Sequence, residues 1–153
     1  MPSAHWKRSA RKPRRLIDSC VLIAAPDHTG CARYLTALGH AHHGYVTHNI
    51  LGEILSAARK FEAFERDKVL AFVLSLLLGG KLTVLPLGPV PYETLHALTG
   101  ALPHLSPDDA VILAEMKELG FHCLATIDGE LASRKNREAL AGQNIRILDL
   151  RQS

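Results

Sequence analysis

Apolar residues along this chain fall in two rhythms. Short runs rich in β-branched residues or Leu, bounded by Gly, Pro or Asn, predict strands over 14–18, 45–48, 82–87, 122–127 and 145–150. The third run is stopped by Gly88-Pro89. Between the runs the spacing turns helical. Helices are predicted over 29–39, with Tyr34, Leu35 and Leu38 on the apolar side, and over 50–63 behind Asn49 as cap. Further helices are predicted over 66–78, 91–99, 106–119 and 130–141. The stretch 66–78 is apolar on nearly every side, which marks it as buried or as a subunit interface. Strand–helix alternation predicts an α/β fold in three layers, α/β/α, around a central parallel five-stranded sheet. In such sheets ligands bind beyond the carboxyl ends of the strands.

That rule directs attention to acids. Asp18 is the last residue of the first predicted strand, and Asp128 follows the fourth. Taken singly, Asp18 reads as a turn or cap and Asp128-Gly129 as a turn. As a pair on one sheet edge they repel each other unless a cation lies between them. Ser106-Pro107-Asp108-Asp109 reads as a helix start, with Ser106 as N-cap, Pro107 in the first position and Asp109 where a capping box places an acid. At 100° per residue Asp109 lines up with Ile112, Leu113 and Met116, whereas Asp108 turns toward Glu115. A carboxylate opening a core-facing stripe is costly unless paired or metal-bound, so Asp109 is the candidate of the two. Glu53 lies one turn into the helix after the second strand; alone it is an ordinary helix-edge glutamate, yet it lies on the same side of the sheet.

Composition narrows the picture. Of 153 residues, 47% are hydrophobic and 22% charged, enough for one domain with an apolar core. Aromatics are only 5%, so that core is aliphatic, which favours helices on a sheet over a β-sandwich. No apolar run approaches the ~20 residues of a membrane span, and the basic start lacks the order of a signal peptide; a cytoplasmic location is expected. Cys20, Cys31 and Cys123 have no CxxC spacing and are expected to be free thiols. The net charge of +3 is uneven: residues 1–15 hold six Lys or Arg and no acid, and the rest holds 12 against 15 acids. Residues 1–13 are therefore read as a basic flexible tail, able to bind phosphate backbones or simply solvated, ahead of a domain over 14–153.

Converging carboxylates without His or Cys suit Mg²⁺ or Mn²⁺, which want hard oxygen ligands. Such ions activate water and stabilise leaving oxygens of phosphodiesters. Ser19 and Thr126 offer hydroxyls beside Asp18 and Asp128 that can hold a water or a phosphate oxygen. Arg134, Lys135 and Arg137, on the helix after Asp128, are placed to hold an RNA backbone or to form a solvated face.

The run 16–23, LIDSCVLI, resembles the first motif of PIN-domain ribonucleases, and within them of VapC-like toxins. Glu53 with Ile54-Leu55 is similar to the second acid, 105–114 (LSPDDAVILA) to the third motif and 124–131 (LATIDGEL) to the fourth. The resemblance covers about 15–150 and rests on the order and spacing of the motifs together. It implies a metal-dependent endoribonuclease with Asp18, Glu53, Asp109 and Asp128 as catalytic metal ligands and RNA as substrate, a homodimer, and an antitoxin protein as partner. Cys20 departs from it, standing where members often carry Asn. The stretch His40-Ala41-His42-His43-Gly44 is not a family feature and is expected to be a solvated loop. Other readings are an RNA-maturation nuclease and a non-catalytic PIN-fold module binding RNA or protein. A receiver domain lacks its Lys at Asp149-Leu150-Arg151, a haloacid-type phosphatase lacks an Asp at Cys20, and a dinucleotide fold lacks its Gly-rich loop.

Overall fold

A computed structural model describes residues 12–86 and 92–152. Five short parallel strands form one sheet: β1 (Arg14–Ile17), β2 (His43–Val46), β3 (Leu82–Val84), β4 (Cys123–Thr126) and β5 (Arg146–Asp149). Their order is β3-β2-β1-β4-β5. The chain leaves β1 toward β2 on one side and β4 toward β5 on the other. The order therefore reverses between β1 and β4, where parallel sheets place their ligand crevice.

The helices are α1 (Ser19–Ala24), α2 (Thr29–Thr36), α3 (His48–Ala58), α4 (Ala63–Leu78), α5 (Tyr92–Ala101), α6 (Pro107–Glu118) and α7 (Arg134–Gly142). Right-handed crossovers put α1–α4 on one face of the sheet and α5–α7 on the other. This is the three-layer α/β/α arrangement expected from the sequence. The central strands bury both faces: Leu16 and Ile17 are 0% exposed, as is Ala125, with Leu124 at 1%. Each fully buried Leu or Ile contributes about 1.5–3 kcal/mol relative to an exposed one. The core continues through Val21, Leu22, Leu35 and Ile50 on one face and Leu98, Leu113 and Met116 on the other.

Several boundaries differ from those predicted, each for a local reason. The second strand begins at His43, two residues early, and ends at Val46, because Thr47 leaves it to cap α3 by accepting from the Ile50 amide at 3.2 Å. Asn49 is thus inside the helix, where its side-chain amide donates to Glu115 at 2.8 Å. Residues 128–133 form turns, and Ser133 starts α7 by accepting from the Asn136 amide. Helix α1, for which no pattern was read, is six residues long and capped by Asp18, which accepts from the Ser19 amide at 2.8 Å. Gly88-Pro89, Pro91 and residues 1–11 lie outside the described residues. The last two tail positions are tied down: Lys12 Nζ donates to the Gly39 carbonyl at 2.6 Å, and the Pro13 carbonyl accepts from the His43 amide at 2.8 Å.

The histidine stretch is not uniformly solvated. His40 and His43 are exposed, but His42 is buried and stacks on Tyr34 with ring centroids 4.1 Å apart. It sits where the chain turns under α2 into β2, which removes it from water. Helix α4 buries Val69, Val73 and Leu76 and leaves Phe64, Leu74 and Leu78 exposed. All three cysteines are free. Among the described residues no helix is long and apolar enough to cross a membrane.

Candidate functional site

The backbone fixes the first acid. Asp18 follows β1 and is held there by its amide, which donates to the Ala125 carbonyl of β4 at 3.0 Å. Its side chain is 6% exposed and each oxygen has a partner. One accepts from the Ser19 amide; the other accepts from Thr126 Oγ1 at 2.8 Å and from Cys20 Sγ at 3.4 Å. Thr126 is itself fully buried, and its hydroxyl also accepts from the Asp128 amide at 3.0 Å. A single threonine thus ties the ends of β1 and β4 together.

The other acids surround this point. Ser19 Oγ donates to Glu53 Oε2 at 2.8 Å, joining α1 to α3. Burial, then the charges of Asp18, Asp109 and Asp108, raise the Glu53 carboxyl against the opposing pull of Ser19. Asp109 is half-buried and Asp108 exposed, as the helix phase predicted, and Ile112, Leu113 and Met116 are buried beneath it. Ser106 caps α6 by accepting from the Asp109 amide at 3.2 Å. Burial first, then the charges of Asp18, Asp128 and Glu130, push the Asp109 carboxyl up to about 6. Asp128 accepts from the amides of Glu130 and Leu131, at 2.9 and 3.4 Å, so it faces the edge from an ordered turn. Among the described residues none of these four acids makes an ion pair.

The donor set is therefore hard, anionic and internally repulsive, which is the chemistry a divalent cation relieves. The side chains as placed do not close on one point: among the described residues no group of three or more His, Cys, Asp or Glu is arranged to hold a metal ion. The donors fit Mg²⁺ or Mn²⁺ in kind.

Ser19 and Thr126 spend their hydroxyl protons on Glu53 and Asp18, and Thr126 also accepts from the Asp128 amide, so both steady the acids. Arg134 is paired with Glu138 at 3.0 Å on the exposed side of α7; Lys135 is exposed beside it. Cys20 joins the Asp18–Thr126 pair, and burial followed by the Asp18 charge pushes its thiol up to about 12. It is a hydrogen-bonding neighbour and not a nucleophile. Two further charged groups lie beside the cluster: Asp108, passed over in favour of Asp109, and Arg151, to which the sequence reading gave no site role. Asp108 lines a groove with Glu53, Ser56 and Lys60, and Arg151 lies next to Asp128. The signal for Arg151 was Asp149-Leu150-Arg151, directly after the last predicted strand.

No family profile matches the sequence, and neither does any curated protein. Solved structures do match in three dimensions. VapBC2 from Rickettsia felis, bound to a promoter DNA fragment, superposes with a TM-score of 0.66 at 10% identity, covering 89% of this chain and 98% of that one. DNA-bound VapBC from Salmonella typhimurium gives 0.62 at 16% identity over 90% and 98%. A toxin–antitoxin complex from Klebsiella pneumoniae gives 0.59 at 17% over 89% and 97%. At these identities the likeness shows the fold alone: this chain shares the five-stranded parallel α/β fold of chains in these assemblies.

Proposed function

We propose that this chain is a divalent-metal-dependent endoribonuclease, the toxin of a toxin–antitoxin pair, acting through Asp18, Glu53, Asp109 and Asp128. The observation that carries the reading is Asp18. It is buried at the switch point of the sheet, fixed by Thr126, and its charge adds to burial in raising the carboxyls of Glu53 and Asp109, while it makes no ion pair among the described residues. Unrelieved repulsion of this kind costs stability, so a site that keeps it has a cation to bind.

Mg²⁺ or Mn²⁺ held there would supply an activated water and charge stabilisation at the leaving oxygen of an RNA phosphodiester. The chain's own part is orientation. Thr126 and the Ser19 amide fix the two Asp18 oxygens, Ser19 Oγ holds Glu53, and the 128–131 turn points Asp128 at the edge. Burial and the neighbouring acids push the Asp109 carboxyl up to about 6, so it would bind a cation more readily as pH rises past that value. The apolar groove between α3 and α4, lined by Leu51, Leu55, Leu70, Leu74 and Leu77, with Leu55 and Leu74 about half exposed, is the face assigned to the antitoxin. The similar structures, VapBC assemblies and a toxin–antitoxin complex, support such a partner.

A second reading, a PIN-fold module that binds without cutting, draws on the one observation that no three acids are gathered to hold an ion as placed. The experiment is cleavage of a mixed RNA pool by wild type and Asp18→Asn, with Mg²⁺, Mn²⁺ or EDTA. Metal-dependent cleavage lost in the variant is expected. A folded wild type that takes up metal and cuts nothing supports the second reading. Trimming of a precursor RNA alone, with the pool intact, assigns the nuclease to RNA maturation.

A further inference from the structure

Arg151 sits just after β5, beside the acid cluster, and its geometry is unusually constrained. Nε donates to both Asp149 oxygens, at 3.0 and 3.2 Å, and Nη2 donates to Oδ2 at 2.7 Å. The Asp149 side chain is 10% exposed, so the clamp is anchored in the fold, whereas the Arg151 side chain is 44% exposed. Asp149 pairs in register with Thr126, the residue that holds Asp18. The guanidinium lies over Gly129: Nη1 is 2.6 Å from the position a Cβ would take there. A side chain at 129 would drive it away. The Asp128 carboxylate is close enough to act on it by charge.

A guanidinium has five N–H groups. The side-on clamp to Asp149 consumes Nε and one Nη2 proton. What remains is the end-on fork of Nη1 and Nη2, the edge that matches two phosphate oxygens. Among the described residues Nη1 has no hydrogen-bond partner. The arrangement thus presents one fixed, solvent-facing phosphate fork on the rim of a site that is otherwise anionic and repels an RNA backbone.

Resting on the nuclease reading, we propose that Arg151, aimed by Asp149 across Gly129, anchors a phosphate of the RNA strand beside Asp128, and so sets substrate affinity. Arg134 is paired with Glu138 out along α7, whereas Arg151 lies over Gly129 within reach of the Asp128 charge, which makes it the better-placed cation.

The test uses the full chain with Asp18→Asn, so that RNA stays intact, and a fluorescein-labelled single-stranded RNA of mixed sequence, followed by anisotropy over a range of salt. Adding Arg151→Ala is expected to weaken binding about tenfold, as loss of one charge-assisted phosphate contact does, and to lower the salt slope by about 1. Gly129→Ala retains both charges but displaces the fork, and is expected to weaken binding with the slope nearly kept. The double variant Asp149→Asn/Arg151→Gln keeps a hydrogen-bonded pair in place and guards against misfolding; it is expected to behave as Arg151→Ala. In active protein, Arg151→Ala is expected to raise KM about tenfold and leave kcat within about twofold. RNA binding that is unchanged in folded Arg151→Ala and in the double variant overturns the proposal while leaving the nuclease reading intact. A folded Asp18→Asn chain that binds no RNA, together with a wild type that cuts none, overturns both.

Discussion

Burial first, and then the charges of neighbouring acids, make an ionised Asp109 costly to the fold, and Asp109→Asn exposes that cost. The Asp109 carboxyl stands at about 6 in the fold against an ordinary value of 3.8. Its proton is therefore held more tightly when the chain is folded, and ionising it costs folding free energy. The gap of about two pH units corresponds to about 3 kcal/mol at 1.36 kcal/mol each. Asp109 is only half-buried, so screening by water reduces this to about 1.5 kcal/mol. Asparagine also forfeits the favourable charge at the start of α6, about 0.5 kcal/mol. It keeps its backbone amide bond to Ser106. The net expectation is that Asp109→Asn stabilises the metal-free protein by about 1 kcal/mol near pH 7.5, or about 2–4 °C in Tm for a domain of this size. The gain has a pH signature. The penalty in wild type is full above the folded value of about 6, shrinks as pH falls through it, and is gone near 3.8, where both states carry the proton. Urea unfolding in EDTA from about pH 4 to pH 8 reads this directly. Adding Mn²⁺ at neutral pH is expected to reverse the order, stabilising wild type more than the variant. A variant that is less stable than wild type in EDTA above pH 6, or whose advantage grows toward pH 4, refutes the account of Asp109 as a strained member of an acid cluster.

Other substitutions test separate parts. Thr126→Val removes a buried hydroxyl that serves Asp18 and the Asp128 amide, and is expected to cost about 1–3 kcal/mol by urea denaturation and to lower cleavage along with it. Gly44→Ala places a Cβ 2.7 Å from Leu38 Cδ2 and 2.8 Å from Ile17 Cδ1, and is expected to destabilise by about 1–3 kcal/mol, read as a lower Tm without loss of metal binding. Cys20, with its thiol pushed up to about 12, is expected to resist iodoacetamide near pH 8 in the folded chain and to react once urea unfolds it, which mass spectrometry of the labelled peptide measures.

What the sequence made legible, and what it did not, follows from where each property resides. Backbone direction fixes the carboxyl edge of a parallel sheet, so Asp18 and Asp128 could be placed there from strand ends alone. Helix phase separated Asp109 from Asp108, and the half-buried and exposed states of the two follow it. Helix α1 left no signal because six residues span less than two turns, too few for a periodicity to show. Its start was hidden as well, since Asp18 does two things at once: it is the candidate ligand and the N-cap. Asn49 was read as the cap, but Thr47, two residues earlier, takes that role, and the Asn49 side chain goes to a long-range partner, Glu115, that no local pattern reveals. The same holds at the site. That Ser19 would hold Glu53, or Arg151 clasp Asp149 over Gly129, depends on which neighbours the fold brings within 3 Å. Strand ends locate an acidic edge, but hydrogen bonds between distant side chains decide which acids are held in place. Asp18 has every oxygen engaged, and Asp109 carries the excess proton affinity. The adaptable member of the cluster is therefore Asp109, and it is the acid whose replacement is expected to separate stability from metal binding.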